Sequence, residues 1–199
     1  ALDGPRVLAC GRNVIMTGGH GNWFGREADG PAEVRKAARE QLKAGADVLK
    51  CMATVGVLTE GAVTGAPELT PEELDAFTDA AAPTDTPTAA HAHGEEGIKN
   101  AVEAGISSVE HGTFMERESI DHMAANDVAV TLTRSTIESI TELDGVPPHY
   151  SEHAEQALER QASQLAYADD RGVLAMGTDT GAVGQHHGDN AEELVHMVD

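Results

Sequence analysis

Two kinds of segment alternate along the chain: amphipathic stretches with a helical spacing of apolar residues, and short runs of β-branched or small residues. The first kind predicts helices at about 31–44, 70–82, 95–104, 119–125 and 151–171, and a partial helix from about residue 190. The second kind predicts six strands at about 13–16, 46–50, 86–91, 106–111, 128–133 and 173–179. Strict alternation of strands and helices predicts a parallel sheet with crossover helices.

Residues able to do chemistry recur at the predicted carboxyl ends of these strands. They are His20, Lys50, His91, His111, Thr133 and Asp179. Because every strand contributes, the pattern favours a (β/α) barrel of the TIM type, whereas a doubly wound open sheet binds ligands near one switch point. A full barrel takes about 250 residues. Six units in 199 residues therefore predict a partial α/β barrel that lacks its first two strands.

Histidine and aspartate together at one sheet edge predict a metal site. His91, His111 and Asp179 form a plausible zinc-binding set, and Asp179 could carry a proton from a metal-activated water to a leaving amine. His93 follows His91 by two residues, so both could face one side; we take His91 as the ligand and His93 as a substrate contact, with the reverse assignment open. Lys50 fits a carbamate bridging two metals, a salt bridge or a substrate contact equally well.

The charge balance narrows the range of partners. There are 34 acidic and 13 basic residues, a net charge of −21, which disfavours nucleic acid and anionic membranes. The low lysine content predicts a protein adapted to high salt rather than an ordinary acidic bacterial protein. A melting temperature that stays constant between low and molar KCl would contradict this. The two cysteines, Cys10 and Cys51, form no disulfide framework and favour a cytoplasmic location, with Cys51 as a small core residue.

The motifs around these residues resemble the amidohydrolase superfamily. The resemblance rests on Leu49-Lys50, Ala90-His91-Ala92-His93-Gly94, Val109-Glu110-His111-Gly112-Thr113 and Met176-Gly177-Thr178-Asp179. The more similar branch contains Xaa-Pro dipeptidases, carboxypeptidase-like dipeptidases and imidazolonepropionase-like proteins. Thr17-Gly18-Gly19-His20-Gly21, Gly45-Ala46-Asp47 and Asn190-Ala191-Glu192-Glu193-Leu194 also resemble that branch.

This resemblance implies a metal-bearing barrel with a metal-bridging hydroxide. It implies roles for six residues: Lys50 as the carboxylated bridge, His91 and His111 as ligands of one metal, Asp179 as ligand and proton shuttle, and His20 and His93 as contacts of the substrate carboxylate. His187-Gly188 also resembles a loop of that family, and His187 is a further candidate substrate contact. Arg134, just beyond a predicted strand, could pair with an anionic substrate, although we favour a solvated surface arginine. The family's first-strand His-x-His pair and its small β-sandwich are absent, so residues 1–199 resemble strands three to eight in a single partial domain.

The leading functional expectation is a dipeptidase that uses one or two divalent metals, most simply zinc, to cleave Xaa-Pro or similar dipeptides. Hydrolysis of a cyclic amide is the runner-up. A catalytically incomplete metal-binding fragment is the alternative of another class, and a metal-free barrel isomerase is a remote one. An open barrel would expose strand edges, which predicts a homo-oligomer.

Overall fold

A parallel sheet of seven strands forms the centre of the fold in a computed structural model, which describes residues 4–56, 63–143, 145, 148–182 and 184–198. The sheet order is β2-β1-β3-β4-β5-β6-β7, and every neighbouring pair is parallel. The strands are β1 (Val14–Ile15), β2 (Arg26–Glu27), β3 (Leu49–Met52), β4 (Thr88–Ala92), β5 (Ser108–His111), β6 (Ala129–Thr131) and β7 (Leu174–Ala175). The predicted α/β class and parallel pairing are confirmed.

Six strands were predicted and seven are present in the residues that the structure describes. The strand that the prediction lacks is β2, which lies at the margin of the sheet. Its two residues, Arg26 and Glu27, pair with Val14 and Ile15 of β1. Neither residue is apolar, and the Arg26 side chain forms an ion pair with Glu40 at 2.9 Å. A strand this short and polar has no hydrophobic period from which it could be predicted.

Seven helices accompany the sheet in the described part of the chain. They are α1 (Pro31–Ala44), α2 (Pro71–Ala81), α3 (Glu95–Glu103), α4 (Arg117–Ala125), α5 (Arg134–Thr141), α6 (Pro148–Asp170) and α7 (Glu192–His196). Helix α5 is the one that the sequence pattern did not predict. Thr133 precedes it in a left-handed conformation and makes no side-chain cap, so the usual signal of a helix start is missing.

The capping box at the start of α2 forms as predicted and also joins two helices. The Glu73 backbone N–H donates to Thr70 Oγ1 at 3.3 Å, and Glu73 Oε2 accepts from the Thr70 backbone N–H at 2.8 Å. The second carboxylate oxygen of Glu73 accepts from the backbone N–H of Gly30, directly before α1, at 2.6 Å. One buried carboxylate therefore fixes the starts of α1 and α2 relative to each other.

The main core lies between the helices and the face of the sheet that they cover. It contains Val34, Ala38, Leu49, Cys51, Leu74, Phe77, Ile98, Val109, Ile120, Met123 and Val130, all buried. Cys51 is thus a core residue as predicted, and burial raises the pKa of its thiol to about 12. Both cysteines are free. Among the described residues, no helix combines the length and apolar character that a membrane span requires.

Candidate metal centre

Three histidines meet at the carboxyl ends of β4 and β5. His91 lies in β4, His93 follows that strand by one residue, and His111 is the last residue of β5. One ring nitrogen from each lies within 4.8 Å of the others, and all three residues are buried. The strand register explains the meeting, since Ala92 of β4 pairs with His111. The structure thus brings together the two predicted ligands and His93, the predicted substrate contact.

The three imidazole rings form a compact group. The ring of His91 is edge-on to the rings of His93 and His111, with centroid separations of 4.6 and 4.7 Å. The rings of His93 and His111 are parallel, with centroids 4.8 Å apart.

Two threonines fix the orientation of two of these rings. His93 Nδ1 is hydrogen-bonded to Thr113 Oγ1 at 2.7 Å, and His111 Nδ1 to Thr133 Oγ1 at 2.7 Å. Occupying Nδ1 in this way leaves Nε2 as the nitrogen available to a cation, which is how outer partners commonly orient metal-binding histidines. Neither threonine could be assigned this role from the sequence. Thr113 belongs to one of the motifs named above, and Thr133 is one of the residues at predicted strand ends.

His91 supplies a direct indication that the group fits a cation. Its Nε2 is buried and has no hydrogen-bond partner among the described residues. A buried polar atom without a partner costs about 1–3 kcal/mol, and a metal ion bound there would remove that cost. The observation agrees with a centre built for a divalent cation such as zinc, which imidazole nitrogen suits.

Electrostatics keep the three rings neutral. Burial lowers the pKa of His91 and His111 well below its ordinary value and that of His93 to about 3. Repulsion between the imidazoles adds to this effect, and for His91 and His111 so does the charge of Lys50. Neutral imidazole is the form that binds metals, so no proton has to be displaced before a cation binds.

His20 packs directly against this group. Its ring stacks on that of His91 with centroids 4.4 Å apart, and burial together with the charge of Lys50 lowers its pKa. The loop after β1 carries it, and the His20 backbone N–H donates to Glu68 Oε1 at 2.8 Å. A Cβ on Gly56 would lie 2.4 Å from the His20 ring, so only glycine fits beneath it. The predicted substrate contact therefore borders the cluster.

Glu68 is a residue that the sequence analysis missed. It is 8% exposed, and its Oε2 has no hydrogen-bond partner among the described residues. Burial raises the pKa of this carboxyl to about 7, although the bond from His20 acts in the opposite direction. Its position two residues before the Thr70 cap offered no signal of a buried role.

Lys50 lies farther from the carboxyl edge of the sheet than predicted. The strand expected at about 46–50 runs from Leu49 to Met52, so Lys50 is its second residue and not its end. Lys50 pairs with Ala89, and Met52 pairs with His91, so Lys50 lies two residues toward the amino end from the level of His91. Its charge still lowers the pKa of His20, His91 and His111, as expected for a neighbour of the cluster.

The strand predicted at about 173–179 is shorter than expected: β7 ends at Ala175, so Asp179 lies in the loop that follows it. The loop that carries it is held by α5, where Thr136 Oγ1 donates to the Thr178 carbonyl at 2.6 Å. Asp179 is exposed as a whole residue, yet desolvation of its carboxyl raises the pKa, with Lys50 opposing the shift and Glu110 adding to it. Asp179 therefore lies within electrostatic reach of Lys50.

Left-handed backbone conformations occur at three of the predicted strand ends. His111, Thr133 and Asp179 have φ angles of 73°, 52° and 55°. Such conformations cost about 1–3 kcal/mol each outside glycine and cluster at functional sites. Aspartate tolerates them in turns, which applies to Asp179 as it does to Asp85 and Asp127. The strain at His111 and Thr133 points to the same edge as the histidines do.

Arg134 and His187 lie apart from this arrangement. The Arg134 guanidinium donates to the Leu158 carbonyl of α6 at 3.2 Å, so its contacts join helices. His187 is exposed in the loop before α7, where its Nε2 would lie 3.9 Å from a Cβ on Gly181. Both remain predicted substrate contacts, without a contact to the histidine group in the described structure.

The motif near residue 190 has a structural explanation. Glu193 of α7 is buried and accepts from the backbone N–H groups of Arg134 and Ser135 at 3.0 and 2.9 Å. It therefore caps α5 in place of Thr133, whose hydroxyl is hydrogen-bonded to His111. Asn190 Nδ2 donates to Thr180 Oγ1 at 2.9 Å and so ties the loop that follows Asp179.

Comparisons with known proteins agree with this geometry. A family model described as "Amidohydrolase family" matches residues 1–199. The chain belongs to the amidohydrolase family. The ochratoxinase of Aspergillus niger is 31% identical to this amidohydrolase chain, over 90% of this chain and 43% of its own length.

Solved structures extend the likeness to the fold of the amidohydrolase chain. The crystal structure of a Xaa-Pro dipeptidase with methionine bound in its active site matches with a TM-score of 0.88 and 36% identity, over 99% of this chain and 53% of that one. The crystal structure of the A. niger ochratoxinase matches with a TM-score of 0.85 and 29% identity, over 98% of this chain and 50% of that one. The sheet is thus part of an amidohydrolase barrel, and the chain spans about half the length of these relatives.

Proposed function

We propose that this chain carries the metal-binding part of an enzyme that hydrolyses an amide bond. The observation that carries the proposal is the buried, neutral group of His91, His93 and His111, in which His91 Nε2 has no partner among the described residues. Membership of the amidohydrolase family and the likeness to a dipeptidase and an ochratoxinase support the same reaction class.

In this proposal His91 and His111 hold a divalent cation, most simply zinc, with Asp179 as a further ligand. Lys50 joins the centre if it carries a carbamate, which would let it bridge two cations. When bound, the cation would polarise the scissile carbonyl and lower the pKa of an attacking water. His93 lies close enough to serve as a ligand itself, so its role as ligand or substrate contact stays open.

The chain's own groups supply proton transfer and substrate orientation. Asp179 accepts a proton from the attacking water and passes it to the leaving amine, and desolvation, which raises the pKa of its carboxyl, favours that acceptance. His20 lies beside His91 at the rim of the cluster, where a neutral imidazole can donate a hydrogen bond to a substrate carboxylate. These roles suit a dipeptide whose carboxyl-terminal residue is released.

Two classes of amide substrate are compatible with this site. We favour Xaa-Pro or similar dipeptides, with a cyclic amide such as imidazolonepropionate as the alternative. A metal-binding fragment without turnover is the alternative of another class.

Metal content and turnover test the proposal in that order. The purified chain is dialysed against Zn²⁺, and its zinc content is measured together with hydrolysis of Xaa-Pro dipeptides, Xaa-Arg dipeptides and imidazolonepropionate. We expect at least one zinc ion per chain, lost in His91→Asn and His111→Asn but kept in the control His122→Asn on α4. A chain that binds no zinc would refute the metal centre, and zinc binding without turnover would leave the fragment hypothesis.

A further inference from the structure

A buried glutamine on α6 lies behind the histidine cluster. Gln161 has no exposed surface. Its Nε2 donates two hydrogen bonds, to the His111 carbonyl at 2.7 Å and to the Leu132 carbonyl at 2.8 Å. Burying a primary amide is unfavourable unless its hydrogen bonds are made. Both N–H groups of Gln161 are paired here, whereas its Oε1 has no hydrogen-bond partner among the described residues.

The two carbonyls need this donor because the strand ladder has already ended. The pairing of β5 with β6 extends to Glu110 opposite Thr131 and goes no further. His111 and Thr133 then adopt left-handed backbone conformations, with φ of 73° and 52°, which turn the chain away from the ladder. The Gln161 amide supplies hydrogen bonds to carbonyls at both strand ends where the ladder no longer does.

Both strand ends are thereby attached to one NH₂ group. Its two protons are a fixed distance apart, so the separation of the His111 and Leu132 carbonyls is fixed as well. Thr133 directly follows Leu132, and its hydroxyl is hydrogen-bonded to His111 Nδ1 at 2.7 Å. The bridge therefore holds together the two backbone segments whose side chains must meet for this hydrogen bond to form.

We propose that Gln161 is a positioning residue of the metal centre. By joining the ends of β5 and β6 it keeps His111 Nδ1 on the Thr133 hydroxyl and turns His111 Nε2 toward the cation. The part that concerns the cation rests on the proposed function. The part that concerns the ring of His111 belongs to the metal-free chain and is tested there.

The test replaces the side-chain amide of Gln161 and measures which ring nitrogen of His111 carries the proton. In Gln161→Met a side chain of similar length lacks both donors, and in the milder Gln161→Asn the amide is one methylene too short to reach both carbonyls. Gln156→Met, an exposed position on the same helix, is the matched control. Two-bond ¹H–¹⁵N spectra of ¹⁵N-histidine, assigned with His111→Asn, report which nitrogen of His111 carries the proton.

In the parent and in Gln156→Met we expect the metal-free His111 ring as the Nδ1–H form, donating to Thr133. In Gln161→Met we expect the signal to shift toward the Nε2–H form that predominates in free imidazole, with a smaller shift in Gln161→Asn. Zinc affinity by competition with a chelator should fall about 10- to 100-fold in Gln161→Met, the usual consequence of losing an outer partner of a metal ligand.

A folded Gln161→Met variant with unchanged His111 signals would overturn the proposal. If Gln161→Met does not fold, unchanged His111 signals in Gln161→Asn would overturn it. A shift of the His111 signals in a chain whose parent binds no zinc would instead refute the proposed function and leave the positioning role intact. A purely structural glutamine would lower the melting temperature without changing the tautomer of His111, which also counts against the proposal.

Discussion

The centre and the margins of the sheet position their functional side chains by different means. At the centre, β4 and β5 pair at four successive positions, and this ladder brings three buried histidines together. Toward the margins, β1 (next to the marginal β2) and β7 have two residues each, and His20 and Asp179 lie on loops beyond them. Those loops are held by side-chain hydrogen bonds to the backbone, which Glu68 accepts from His20 and Thr136 donates to Thr178.

The stabilities of the two regions respond to pH in opposite directions. Burial lowers the pKa of the central imidazoles, so the folded chain keeps them neutral. Burial raises the pKa of the marginal carboxyls of Glu68 and Asp179, so the folded chain favours their protonated forms. Acid should therefore destabilise the centre, and alkali the margins.

The largest expected effect is the loss of stability of the metal-free chain in acid. The pKa of His93 is about 3 in the folded chain and 6.5 when unfolded, so the unfolded chain binds the extra proton between these values. Stability is thus fully present above pH 6.5 and falls toward pH 3, by about 1.4 kcal/mol per pH unit for each such imidazole. Urea unfolding between pH 7.5 and 5 measures this loss.

Replacing one imidazole isolates its contribution. Going from pH 7.5 to 5, His93→Gln should lose about 2 kcal/mol less stability than the parent, whatever its stability at pH 7.5. His122→Gln on α4 is the control and should follow the parent. Parallel curves for the parent and His93→Gln would mean that His93 is not kept neutral by the fold.

The next effect concerns Glu68 and has the opposite sign. Its pKa is about 7 in the folded chain against 4.5 when unfolded. This contribution is complete below pH 4.5 and is lost as pH rises through 7. Glu68→Gln keeps the acceptor for the His20 N–H and cannot ionise. Relative to the parent it should gain about 3 kcal/mol between pH 4.5 and 8.

Thermal or urea unfolding of both chains at the two pH values measures this gain. Glu72→Gln, exposed in the first turn of α2, is the matched control because its carboxyl lies at the surface. A Glu68→Gln variant that is no more stable at pH 8 than at pH 4.5, relative to the parent, would show that the carboxyl is ionised in the folded chain.

The smallest effect is expected at the loop that carries Asp179. Thr136→Val keeps the shape of the side chain but removes the donor to the Thr178 carbonyl, which should cost about 1 kcal/mol. Thr141→Val on the same helix is the control, since its hydroxyl bonds only to the Glu138 carbonyl one turn back. A loss of zinc affinity in Thr136→Val beyond this small stability change would support Asp179 as a ligand, and unchanged affinity would count against it.

Local chemistry explains which parts of the sequence analysis were correct. The helix at Pro31–Ala44 has a regular apolar spacing, and α2 has a capping box, so both follow from short-range preferences. The meeting of His91 with His111 follows from strand order alone, because neighbouring parallel strands share a carboxyl edge. The strand boundaries around Lys50 and Asp179 were wrong because small and polar residues there fit a strand or a loop equally well.

The remaining features depend on residues far apart in the sequence. Thr133 leaves the cap of α5 to Glu193, 60 positions later, and its hydroxyl serves His111 instead. Gln161 reaches back 50 positions to the His111 carbonyl. Glu68 meets the His20 N–H across 48 positions. Each of these contacts is made by a polar side chain whose type alone predicts only a solvated surface residue.

By itself, the sequence determined the alternating α/β architecture, the parallel sheet and the edge at which the histidines lie, because these follow from hydrophobic period and strand direction. Which polar groups are buried from solvent, and what they contact, depends on the tertiary structure. Burial then sets the pKa of each imidazole and carboxyl, since the cost of a charge depends on the solvent that the fold removes. His93 and His111 are kept neutral where packing excludes water, and a threonine hydroxyl engages Nδ1 of each ring.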